Sequence, residues 1–167
     1  MTILNASGTS QTIGYTAIAA TEDSGASNYI GTWRFVMPDE TGTAHSLSVY
    51  ISGLVSAAPN NQFQVAIYAD QNGQPGTLLI STPSQTIVPD SWNTISLTAT
   101  LQPNTYYWLA YNTNGKSSPA NNIRVDPGSP GQMRWRPQSF GTWPATMGAA
   151  NGSEAAQASI YVTYTVP

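Results

Sequence analysis

The run MRWRPQSFGTW, residues 133–143, holds two of the chain's five basic residues, Arg134 and Arg136, and two of its five tryptophans, Trp135 and Trp143. Indole faces stack on the apolar C–H faces of pyranose rings. Guanidinium forks hold carboxylates in bidentate geometry. Period-two spacing puts Met133 and Trp135 on one side of a strand and both arginines on the other. Trp135 is therefore expected to point inward. The displayed arginines would suit a uronic sugar or a neighbouring subunit. Trp143, between Gly141 and Pro144, belongs to a loop, where it is either a plug over the fold or an exposed platform.

Stacking on sugars also needs planar hydrogen-bonding side chains at the ring edges. Tyr111, Asn114 and Asn122 complete the candidate ligand-binding set with Trp143, Trp135, Arg134 and Arg136. The chain has five Trp, nine Tyr and three Phe, more than a core of this size uses. Tyr29, Tyr50, Tyr68, Tyr106 and Tyr161 join Trp135 and Trp143 as candidates for exposure. The competing reading is that these rings cover sheet edges and subunit contacts.

Acid–base and nucleophilic chemistry find little support. The single histidine, His45, has no nucleophile-elbow motif with it and reads as a surface residue. Glycosidic hydrolysis needs two carboxylates across a cleft. The eight carboxylates all sit in turn or loop contexts, and only tertiary structure can bring a pair together. No catalytic residue is assigned. In ADQNG, Asp70 and Asn72 alternate like the start of a calcium loop, but no downstream glutamate follows, and Pro75 interrupts the spacing. A hairpin turn is the better reading, and no cofactor is expected. A structural calcium near Glu22 and Asp23 rests on analogy with carbohydrate-binding jelly rolls alone.

Composition narrows the partners. Charged residues are 8% of the chain, against about a quarter in ordinary soluble proteins. With 40% hydrophobic content, that describes a packed fold with a neutral surface rich in hydroxyls and amides. A net charge of −3 with five basic residues argues against nucleic acid, whose binding relies on phosphate neutralisation by Lys and Arg. No apolar run approaches the roughly 20 residues of a membrane span. The absence of cysteine excludes disulfides and zinc–thiolate sites. The amino-terminal MTILNASGTSQTIG has neither the charged nor the apolar region of a secretory leader.

The elements that must position these residues are strands. In HSLSVYIS, Leu47, Val49 and Ile51 alternate with serines and Tyr50. In QFQVAIY, Phe63, Val65 and Ile67 alternate with Gln62, Gln64 and Ala66. NTISLTATL and ASIYVTYTV repeat the pattern, which marks antiparallel strands with one buried and one wet face. Turn chemistry recurs at short intervals in APNN, QNGQPG, VPDS, QPN, NTNG and DPGSPG. The expectation is one domain over 1–167. It is all-β, an antiparallel two-sheet β-sandwich of jelly-roll type with eight to ten strands and no substantial helix. Trp92 and Trp108 are expected to fill its core.

Residues 63–115 carry a resemblance. The stretch IYADQNGQPG, followed by Trp92 and then LQPNTYYWLAY, resembles a recurrent extracellular β-sandwich, the carbohydrate-binding-like or choice-of-anchor type of module, also found in phage structural proteins. The closing FGTWP and SIYVTY are similar to the end of such modules. The resemblance implies a non-catalytic jelly roll used for attachment or display, extracellular or on a virion surface. Its partner would be a glycan or polysaccharide. The alternative is a capsid-decoration or tail-associated subunit contacting sister subunits or capsid proteins.

Overall fold

The computed structural model describes residues 8–166. Residues 1–7, part of the stretch read above as lacking a secretory leader, and Pro167 lie outside the described residues. Fourteen strands and no helix occur among the described residues. The strands begin with β1 (Ser10–Gly14), β2 (Thr21–Glu22), β3 (Tyr29–Val36), β4 (Gly42–Ile51) and β5 (Gln62–Gln71). There follow β6 (Gln74–Ser81), β7 (Gln85–Thr86), β8 (Ser91–Leu101), β9 (Tyr106–Thr113) and β10 (Arg124–Pro127). The last four are β11 (Met133–Pro137), β12 (Gly152–Glu154), β13 (Ala156–Ala158) and β14 (Ile160–Thr165). The all-β expectation holds. The count exceeds eight to ten because β2, β7, β12 and β13 have only two or three residues, too few for an alternation to register.

Strand pairing is antiparallel throughout, in three hydrogen-bonded sheets rather than two. One runs β1-β14-β4-β8, a second β13-β10-β2, and the largest β12-β11-β3-β9-β5-β6, with β7 paired to β5. The segment 152–165 joins all three, as β12 and β13 each form an edge of their sheet and β14 lies between β1 and β4 in the third. Hairpin chemistry works as written. Asn72 and Gly73 take φ of 54° and 79°, the left-handed turn that joins β5 to β6.

Apolar alternation decides the faces. Leu47, Val49, Ile95, Leu97, Ile160 and Val162 of the four-stranded sheet share one buried cluster with Trp33, Phe63, Val65, Ile67 and Leu109 of the seven-stranded sheet. Thr94, Ser96, Thr98 and Thr100 stay exposed, as their positions predict.

Two expectations are corrected. Trp108 is fully buried, but on the far side of the seven-stranded sheet, and Trp33 occupies the main core instead. Trp92 is half-buried beside Tyr50 and Tyr161, at centroid distances of 5.6 and 4.9 Å.

The polar side of β5 is not wet either. Gln64, Ala66 and Tyr68 are buried because segment 138–151 folds across that face. Tyr68 Oη donates to Pro144 O at 2.9 Å, and Met147 N donates to Gly76 O at 2.9 Å. Met147 and Trp143 then pack with Ile30, Tyr68, Trp108 and Ala110 in a second, smaller cluster.

Candidate functional site

Where β3, β11 and β12 meet the segment that follows β2, the surface opens into a cavity of about 220 Å3. Tyr29, Trp33, Tyr111 and Trp135 supply its aromatic lining, and Met133 adds an apolar side chain. Asp23, Ser24 and Glu154 add polar groups. The Tyr29 and Trp135 rings stand at 73° with centroids 5.6 Å apart, so together they make an aromatic corner. Pockets for drug-sized ligands run to roughly 300–1,000 Å3. This cavity suits something smaller, such as one sugar ring.

Local sequence explains the shape. Tyr29, Gly31 and Trp33 alternate along β3 and so share one face. Trp135 lies opposite Gly31 across the β3–β11 ladder and opposite Gly152 across the β11–β12 ladder. A Cβ at Gly152 would lie 2.3 Å from the Trp135 indole, and one at Gly31 would lie 2.7 Å from the Trp33 ring. Glycine at both positions gives two large rings the space above the sheet. Tyr111 Oη donates to Asn121 O at 2.7 Å, and burial pushes its phenol pKa up. Asn122 is buried and accepts from Ala26 N at 3.2 Å while donating to Ser118 O at 2.9 Å, which ties down the 23–26 wall.

The electrostatics are acidic. Burial pushes the Asp23 carboxyl above its usual range. The Ser24 N–H, donating at 2.8 Å, works against that rise, and the charge of Glu154 adds to it. Among the described residues, no Lys, Arg or His lines the cavity. Among the described residues no group of three or more His, Cys, Asp or Glu side chains is arranged to hold a metal ion.

The seven candidate residues do not form one site. Trp135 and Tyr111 line the cavity, and Asn122 anchors its wall. Asn114 braces β5, accepting from Gln62 N and donating to Pro59 O, both at 2.8 Å. Arg134 and Arg136 share the face opposite Trp135, as their spacing predicts, but both are half-buried. Arg136 Nη1 donates to Met147 O, and Arg134 Nε is buried without a partner among the described residues. Trp143 is half-buried against Tyr68, at a centroid distance of 6.2 Å, so it covers the sheet face as a plug.

The remaining chemistry is dispersed. Asp70 accepts from Arg34 Nε at 2.8 Å, Arg34 Nη2 at 3.2 Å, Trp108 Nε1 at 2.8 Å and Gly73 N at 3.0 Å. Arg34 also lies 3.8 Å over the Tyr106 ring. Burial raises the Asp70 pKa, yet these donors and the Arg34 charge outweigh it and leave the carboxyl below its usual range. Asp126 accepts from Tyr15 Oη at 2.7 Å and Ala20 N at 2.8 Å. His45 is exposed, with Nε2 2.7 Å from Thr165 Oγ1.

Trp33 and Glu154 were not among the candidates read from the sequence, and Asp23 entered only through the calcium analogy. The signal for Trp33 was present in NYIGTWRF, where alternation places Tyr29, Gly31 and Trp33 together. No local pattern connects Asp23 to Glu154. No protein-family model and no curated protein matches the chain. Among the described residues no helix is long and apolar enough to cross a membrane.

Proposed function

We propose that this protein is a non-catalytic binding module of β-sandwich, jelly-roll type, displayed outside a cell or on a virion, and that it seats a glycan unit in the Trp33–Trp135 cavity. The observation that carries the reading is the aromatic corner of Tyr29 and Trp135 beside hydrogen-bonding groups on Ser24, Asp23 and Glu154. Flat ring faces meet the C–H face of a pyranose, and the polar groups meet its hydroxyls. An apolar cluster shared by the four- and seven-stranded sheets supports the sandwich architecture. The resemblance of residues 63–115 to extracellular attachment modules points the same way.

A glycan array with wild type, Trp135→Ala and Trp143→Ala tests the reading. Loss of an aromatic wall removes about 1.4 kcal/mol or more, so Trp135→Ala should weaken binding at least about tenfold. Trp143→Ala should leave it unchanged, because Trp143 is not part of the cavity lining. A stable trimer by light scattering with no glycan retained would instead favour a virion subunit. Release of new reducing ends that stops in Asp23→Asn would make the cavity a hydrolytic site, since Asp23 and Glu154 both line it.

A further inference from the structure

We infer that the cavity selects a cationic amino sugar, a pyranose ring carrying a free protonated amine, over neutral and acidic sugars. This rests on the glycan reading and adds the charge of the ligand to it. The ionisable side chains on the lining are Asp23, Glu154, Tyr29 and Tyr111. The ion pair formed among the described residues is Arg34–Asp70, on the opposite face of the seven-stranded sheet. Both cavity carboxylates are therefore without a cation partner among the described residues.

Three features converge on an ammonium group. Tyr and Trp faces attract a cation through their quadrupoles, by about 0.5–2 kcal/mol depending on desolvation. The Asp23 carboxylate accepts from Ser24 N alone among the described residues, which leaves its other lone pairs to N–H donors of a ligand. Asp23 also sits where its negative charge is uncompensated, half-buried and repelled by Glu154. A bound cation relieves both penalties at once.

Alternatives fit less well. An acidic sugar would meet like charge, and the arginines that could receive it lie across the sheet. An N-acetylated sugar keeps the ring face but replaces the charged donor with a neutral amide. A quaternary ammonium offers the aromatic walls a charge but gives the carboxylates no N–H. A protonated primary amine on a sugar ring uses the rings, the hydroxyl-binding groups and both carboxylates.

The test compares a β-1,4-linked glucosamine tetramer with its N-acetylated counterpart and a glucuronate oligomer, by titration calorimetry near neutral pH. The glucosamine tetramer should bind about tenfold or more tighter than the N-acetylated one, and the glucuronate oligomer should not bind. Asp23→Asn and Glu154→Gln should each weaken glucosamine binding about tenfold and weaken N-acetylated binding less, so that the preference for the free amine narrows. An unchanged ratio of the two affinities overturns the charge inference. Glu154 is exposed, so its replacement does not put folding at risk. Equal or tighter binding of the N-acetylated tetramer overturns the charge inference and leaves the glycan reading standing. Glucosamine binding that survives Trp135→Ala overturns it as well, because attraction to the acidic surface then suffices. No binding of any of the three overturns both.

Discussion

Gly152 lies directly opposite Trp135 across the β11–β12 ladder, and the place its missing Cβ would occupy is 2.3 Å from the indole. An aromatic ring spread over a cross-strand glycine secures both the strand register and the position of the ring. Here the ring is also a wall of the candidate site, so edge-strand packing and ligand binding depend on the same contact.

Gly152→Ala should therefore cost about 1–3 kcal/mol, the usual range for overpacking, as Trp135 is forced off its position. Urea denaturation gives the stability change. Tryptophan emission and glycan titration report whether the cavity has lost its corner. Unchanged stability together with unchanged binding would show that Trp135 has free space to move.

Asp23→Asn should stabilise the protein at neutral pH while weakening the binding of a cationic ligand. The folded pKa lies above the unfolded value of about 3.9. The favourable contribution of this group is thus complete below about pH 3.9 and is lost as pH rises through the folded pKa. Asparagine keeps an acceptor for Ser24 N without that loss. Thermal melts should show the variant's advantage growing from about pH 3.5 to pH 7. A constant difference across that window would contradict it.

Asp70→Asn acts in the opposite sense. It removes the charge that pairs with Arg34, a contact between side chains 29% and 15% exposed. Such a half-buried pair falls between the 0–1 kcal/mol of surface bridges and the 3–5 kcal/mol of buried ones, so about 2 kcal/mol is expected at neutral pH. The folded pKa is depressed. Its contribution is present above the unfolded value of about 3.9 and is lost as pH falls through the folded pKa, so the gap between variant and wild type should narrow below about pH 3.9. Denaturant titrations at two pH values measure this.

Trp143→Ala should destabilise by about 2 kcal/mol, less than the 3–5 kcal/mol of a fully buried aromatic, because the ring is half-exposed over Tyr68. Hydrogen exchange should quicken in segment 138–151 and at the β5 amides beneath it. Glycan binding should persist. Loss of binding with stability intact would move the site to this face.

What the sequence determined by itself were the properties that depend on a few neighbouring residues. Pleating is local, so alternation in NTISLTATL and MRWRP settled which side chains share a face, and the β8 and β11 faces follow it. Positive φ at Asn-Gly is local too, and the β5–β6 hairpin forms where QNGQ predicts it. Which of two faces is covered is not local. Gln64, Ala66 and Tyr68 read as the open side of β5, yet segment 138–151, some seventy residues away in sequence, lies over them. Trp108 went to that second cluster for the same reason.

The cavity belongs wholly to the tertiary level. It joins Asp23, Trp33, Trp135 and Glu154, which come from the segment after β2 and from β3, β11 and β12. Register across the two ladders decides that two glycines face one tryptophan, and the tertiary fold decides that two carboxylates line one cavity with no cation on its lining among the described residues. Neither relation has a period for a sequence to display.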